Sequence, residues 1–294
     1  SAASDVYKRQ DEPIIFTADE DNAKSGHWGG IIINGKAPIS GDKEDKSNTA
    51  LAEINNKYPY GGNNAADNSG VMTYVSICYA GARSTQDIEH NGLTLNGVGN
   101  GTTIENIYVL ESADDAIEFF GGTVNVKNLL AVNPDDDMFD FTQGYCGTLS
   151  NCYGIWESDY TSTEADPRGI EADGNFDGLY PNHLRQSDFV VDGMTIVNNA
   201  ANTTDNVDRM QDVIKIRRGA KATIKNALVK GTGGAIDLVD MNDGKGAGNA
   251  ASTISITNSL QLTGKKLNGE AVLNEAGSNT GADTSVFGWT KYNF

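Results

Sequence analysis

The chain has 294 residues, with 40 Asp and Glu against 22 Lys and Arg, 34 glycines and six prolines. A net charge of −18 with no basic stripe excludes nucleic acid as a partner, because phosphate binding needs clustered Lys and Arg. The same charge opposes simple attraction to polyanionic glycans. No apolar run is long enough to span a membrane, and 38% apolar content lies above the disordered range.

Residues 1–10, SAASDVYKRQ, match none of the later patterning and read as a leader outside the fold. The pattern begins abruptly at Asp11, so the native chain is expected to extend upstream. PIIFT (13–17) and WGGIII (28–33) read as the first strands, with Trp28 packing near a turn. The stretch 41–66 reads as a surface excursion carrying one helical turn. GGNNAADNSG (61–70) is a turn-rich linker and not a phosphate loop, since a strand follows it and no helix opens there. Cys146 and Cys152 are close enough in sequence to bridge a short loop, which leaves Cys78 over.

From residue 102 the chain repeats itself. TTIENIYVLESADDAIEFFGG (102–122) aligns with TVNVKNLLAVNPDDDMFDFTQG (123–144), so Asn106 maps to Asn128, Asp114–Asp115 to Asp136–Asp137, and Phe119 to Phe141, each 22 residues on. Asn151 continues the Asn slot at an offset of 23, and Tyr74, Gly193, Asn226 and Asn258 are placed there in the remaining coils. A second short strand follows, reading IEF at Ile117, FDF at Phe139, IEA at Ile170, IKI at Ile214 and IDL at Ile236. Polar insertions lengthen the coils near 156–168 and 199–212.

A period of about 22 residues holds two or three short strands and their turns. Successive coils then stack as parallel strands about 4.8 Å apart. Ile117, Phe139, Ile170, Ile214 and Ile236 are expected in one core column, and Glu118, Asp140, Glu171, Lys215 and Asp237 in an outward one. Leucine-rich repeats need more leucine, and propeller blades need periods near 40 residues. The fold expected is all-β, a right-handed parallel β-helix over 11–262. The aromatic tail, with Phe287, Trp289, Tyr292 and Phe294, is expected to cap its open end over 263–294.

PIIFTADEDNAKSGHWGGIIINGKAPIS, SADDAIEFFGGTVNVKN, DDDMFDFTQGY, RGIEAD and IKIRRG together resemble a group of secreted or lipid-anchored bacterial proteins of the pectate-lyase-like superfamily. The resemblance covers roughly Asp11 to Phe294. It implies a β-helix at the outer cell surface or outside the cell, and says little of activity, since lyases, hydrolases, adhesins and stalks share the fold. Closely spaced Asp pairs followed by Gly-His-Gly, as in polygalacturonases, are not found, and IKIRR is a loose echo of their Arg-Ile-Lys. His27, His90 and His183 show no metal or base spacing.

Carboxylates on adjacent parallel strands sit about 5 Å apart and repel. They persist with a bridging cation, a retained proton or an inserted base. Three chemistries follow from those solutions. Glu118, Asp136, Asp137 and Asp140 are the candidate ligands of a Ca2+ ion, which favours carboxylate oxygens. Asp140 and Glu171, with Lys215 and Arg217, are the candidate catalytic residues of a polysaccharide lyase or glycoside hydrolase. Trp156, Tyr160, Tyr180 and Arg168 are the candidate contacts to a polysaccharide or surface glycan, since exposed aromatic rings stack on sugars. The leading expectation is a binding or structural module directed at carbohydrate. A third class, a stalk with no small ligand, would show no Ca2+-dependent melting.

Overall fold

The computed structural model of the chain describes residues 12–83, 90–200 and 210–294. The leader assigned to 1–10 and most of the insertion near 199–212 lie outside the described residues.

Alternating apolar residues in each coil point into one core, and the strands that carry them stack in parallel register. Among the described residues, one sheet runs through nine strands. In spatial order they are Ile14–Phe16, Val71–Cys78, Thr103–Leu110, Asn125–Val132, Thr148–Trp156, Asp188–Asn198, Lys221–Lys230, Thr253–Asn258 and Val272–Glu275. A second sheet stacks Ile31–Asn34, Leu93–Asn96, Ile117–Phe120, Phe139–Thr142, Ile170–Asp173, Met210–Arg217, Gly234–Asp240 and Gln261–Leu262. Every pairing within these two sheets is parallel, consistent with a right-handed parallel β-helix. No described helix is long and apolar enough to cross a membrane.

The expected core column forms: Phe139 pairs with Ile170, Ile170 with Ile214, and all three are fully buried beside Ile117. Phe119, Phe141 and Phe189 stack face to face at centroid distances of 5.1 and 4.2 Å. Each such ring contributes roughly 1.5–3 kcal/mol by burial. The Asn slot is a ladder. Asn128 donates to Asn106 Oδ1 and Asn151 donates to Asn128 Oδ1, both at 2.9 Å. All three residues hold left-handed backbone, with φ between 54° and 58°. Asn tolerates that region because its short side chain bonds locally. Gly193 and Asn226 continue the column, at φ 73° and 49°.

Several expectations need correction. Asn258 is not in the slot; the last full strand is one residue shorter there, and Asn258 lies opposite Val229. Ile236 is not in the core column, because Ile214 pairs with Val239 and Lys215 with Asp240, while Asp237 lies opposite Asp212. The excursion within 41–66 is an antiparallel hairpin, Thr49–Ala52 with Asn55–Gly61, and has no helical turn. The three cysteines are free thiols; Cys152 points into the core from its strand, away from the turn that holds Cys146.

The aromatic part of the tail does not cap the end of the solenoid, although Leu267 and Ala271 before it pack on the main core. Val272–Glu275 adds one more rung, and the chain then runs back along the outer face of the first sheet. Thr280 and Asp283 donate their backbone N–H groups to Asn226 and Asn151 of the slot column. Phe287 and Trp289 are buried against Tyr108, Leu130, Tyr153 and Val197. The first sheet carries apolar residues on its outer face at these positions, and the strap along the side buries them.

Candidate functional site

Five short strands of the second sheet share one pattern at their start: a charged residue, two consecutive buried residues, and then an outward residue. Asp115-Ala116-Ile117-Glu118, Asp137-Met138-Phe139-Asp140, Arg168-Gly169-Ile170-Glu171, Asp212-Val213-Ile214-Lys215 and Asp237-Leu238-Val239-Asp240 all follow it. The parallel register converts this pattern into two columns on the outer face. One runs Thr94, Glu118, Asp140, Glu171, Lys215, Asp240. The other, three residues earlier in each coil, runs through Asn91, Asp115, Asp137, Arg168, Asp212 and Asp237.

Charge divides these columns into two halves. From Glu171 onward the acids meet bases, except Asp237, which accepts from the Lys265 backbone N–H. Arg168 pairs with Asp166, Glu171 and Asp212; Lys215 pairs with Asp212 and Asp240; Arg217 grips Glu171 and Asp173. Arg218 joins Asp173, Asp177 and Asp243. In the other half, Asp115, Glu118, Asp137 and Asp140 make no ion pair among the described residues. Asn91 Nδ2 donates to Glu118 Oε2 at 2.5 Å, and the Asp137 N–H donates to Asp115 Oδ1 at 2.9 Å. Three oxygens here are buried with no hydrogen-bond partner: Asn91 Oδ1, Asp137 Oδ1 and Asp140 Oδ1. Asn91 is 4% exposed and Asp137 3% exposed.

This placement shows in the titration of the groups. Burial pushes the carboxyls of Asp115, Glu118, Asp137 and Asp140 well above the usual range, and neighbouring acids push them further. Glu171 is raised by burial against the pull of Arg168 and Arg217. Asp212 is pushed up to about 6, again by burial, with Lys215 opposing.

Glu118 and Asp140, the outward acids of the unpaired half, lie on the floor of a cleft of about 410 Å³. Thr94, Glu118, Phe120, Asp140 and Glu171 face it from the second sheet, with Asn91 at its edge. The hairpin contributes one wall through Leu51, Glu53, Ile54 and Tyr60, and the 3-10 turn Phe176–Gly178 contributes the other through Phe176 and Asp177. Tyr60 donates its hydroxyl to Gln143 and meets Phe120 edge-on at 6.4 Å. His183 Nε2 lies 2.7 Å from the Ser47 carbonyl and Tyr180 donates to the Asp42 carbonyl, which ties one wall to the other. No Lys, Arg or His lines the cleft among the described residues.

The structure therefore sorts the expected site residues. Glu118, Asp140 and Glu171 share the cleft floor. Lys215 and Arg217 are committed to ion pairs and do not line it. Arg168 is 6% exposed and positions Glu171 from the side. Trp156 is 1% exposed, ends a core strand and donates to the Pro134 carbonyl, so it is no surface contact. Tyr160 packs on it and donates to Asp135, away from the cleft. Tyr180 stands behind the wall and stacks on Phe176, which does face the cleft. The expected metal set falls into three groups whose ligand oxygens lie within 4.8 Å of one another: Asp114, Asp115 and Asp136; Asp115, Glu118 and Asp140; Asp137, Asp140 and Glu171. Asn91, Tyr60 and Asp42 were not foreseen. The two-residue apolar corner after each leading charge would have corrected the Ile236 alignment; nothing local marks the hairpin as a wall.

The family model described as a pectate-lyase like beta helix domain matches residues 2–291. Comparison with curated proteins and with solved structures finds no match.

Proposed function

The chain belongs to the pectate-lyase-like β-helix domain family, and from that premise we propose that it is a carbohydrate-directed binding module of the cell exterior, with its ligand in the cleft over the second sheet. The observation that carries this reading is the floor itself. Glu118 and Asp140 lie side by side without an ion pair, with Phe120 on the same strand as Glu118 and Tyr60 in the wall above. Groups left in this state keep a proton or take a counter-charge from outside the chain.

Ca2+ is the candidate cofactor. The donors are all hard oxygens, and Asp115, Glu118 and Asp140 are the residues that would hold it, with Asp137 beside them. Bound there, it would supply positive charge for an anionic or hydroxyl-rich ligand. Melting with and without Ca2+, followed by a screen of glycans, tests the reading. A ligand that binds only the folded form raises the midpoint. No shift with Ca2+ and no retained glycan would leave a stalk without a small ligand.

One observation favours a second reading, that of a glycoside hydrolase. Asp140, driven to keep its proton, adjoins Glu171, which two guanidiniums hold toward the charged form. Acid and base roles are assigned in this way when environments differ. New reducing ends from a glycan, lost in both Asp140→Asn and Glu171→Gln, would establish it. The lyase version lacks a free base, because Lys215 and Arg217 are bound to acids.

A further inference from the structure

We propose that the glycan taken by this cleft carries its own positive charge, as a sugar with free, protonated amines. The inference rests on the reading that the cleft binds carbohydrate, and it names the class.

The floor presents buried oxygens that lack a donor. Asn91 Oδ1 is unpartnered, and its amide is fixed in that orientation because Nδ2 is engaged by Glu118 and Thr94. Asp140 Oδ1 and, just behind it, Asp137 Oδ1 are also unpartnered. An ammonium group brings three N–H donors and a full charge on a single small centre. It would satisfy Asn91 Oδ1, Glu118 and Asp140 together and remove the repulsion between the two carboxylates.

The walls argue for an organic cation in place of a bare metal. Over the floor stand Leu51, Ile54 and Tyr60, and Phe120 lies beside the acids, which together offer apolar and aromatic surface where a metal ion would need further oxygens to reach its six to eight. A pyranose ring has C–H faces that lie on such surface. Asp42 and Glu53 set further acids around the rim, where Asp177 is already paired with Arg218 and Lys245. A uronate chain would meet this field as a like charge. An N-acetylated amino sugar would leave the floor acids uncompensated. A chain of free amino sugars matches the floor, the walls and the rim.

The test is calorimetric titration of the full chain, at low ionic strength and near-neutral pH, with three oligosaccharides of equal length: glucosamine, N-acetylglucosamine and galacturonate oligomers, each with Ca2+ and with a chelator. The glucosamine oligomer should bind about tenfold or more tighter than its acetylated form, the difference expected of a charge-assisted hydrogen bond. Added Ca2+ should weaken it by competing for the same oxygens. Glu118→Gln and Asp140→Asn should each lose about tenfold for the amine ligand, with melting curves showing that both variants fold. Equal binding of the amine and acetylated forms would overturn the inference and leave the carbohydrate reading standing. So would galacturonate binding only with Ca2+. Amine binding unmoved by both substitutions would place the contact elsewhere and overturn it as well. If none of the three binds, the inference and the carbohydrate reading fall together.

Discussion

Glu118 and Asp140 face each other on neighbouring strands at a spacing where two charges repel, and the nearest guanidiniums are already held by Glu171 and Asp173. Neutralising either one while keeping its shape should therefore stabilise the protein without ligand. Glu118→Gln keeps the acceptor for Asn91. Each of Glu118→Gln and Asp140→Asn is expected to gain about 1 kcal/mol, or roughly 2–4 °C in Tm. A drop in Tm for both would show that the acids are compensated within the fold. Asn128 makes the opposite case. It bonds both neighbours of the ladder and holds a φ of 58°. Asn128→Ala should cost about 2 kcal/mol, since it loses two hydrogen bonds and keeps an unfavourable backbone. Asn128→Gly should cost less, because glycine adopts that backbone freely, as Gly193 does in the same column. Denaturant titration of the pair separates backbone strain from hydrogen bonding; equal losses would assign the whole effect to the bonds.

At the scale of elements, the C-terminal strap and the hairpin decide how the repeat is finished. The strap follows the Asn column and continues it with backbone groups where side chains stop: Asn151 and Asn226 accept from Asp283 and Thr280, on either side of the bare Gly193. Its aromatic end covers an apolar outer face that a solvated sheet would not carry. Trp289 is 4% exposed and meets Tyr74 edge-on at 5.6 Å. Trp289→Ala is expected to cost about 3–5 kcal/mol. Hydrogen exchange should then speed up in 276–294 and along the outer face of strands such as Thr103–Leu110, with the second sheet unaffected. Uniform loss of protection across both sheets would instead make the strap part of a single cooperative unit with the core.

For the whole molecule, the raised carboxyls set the direction of pH dependence. Folded Asp115, Glu118, Asp137 and Asp140 hold protons more tightly than in the unfolded chain. The folded form therefore binds more protons, and stability is fullest below the ordinary carboxylate range and falls as pH climbs through the raised values. Asp212, pushed up to about 6, contributes the lower part of that window. His90, lowered by burial, works in the other direction, as do the lowered carboxyls of Asp243 and Asp283 at more acid pH. The protein without ligand should melt higher at about pH 5 than at about pH 8, and a bound cation should flatten the difference. A Tm that rises across this interval would mean that the floor acids are ionised and satisfied. The repeat was legible because a solenoid stacks equivalent residues: an offset of 22 between Asn106 and Asn128, or between Phe119 and Phe141, is itself the distance of one coil. Alignment failed at Ile236 because IDL and IKI satisfy the same alternation, and only the buried pair Leu238–Val239 fixes the register. From the sequence alone came the coil, its core column and its acidic outer column, all of which depend on local period. The cleft was decided by tertiary structure, because the hairpin at 49–61 and the turn at 176–178 meet over the floor from far apart in the chain, and no local pattern records which distant side chains surround a carboxylate.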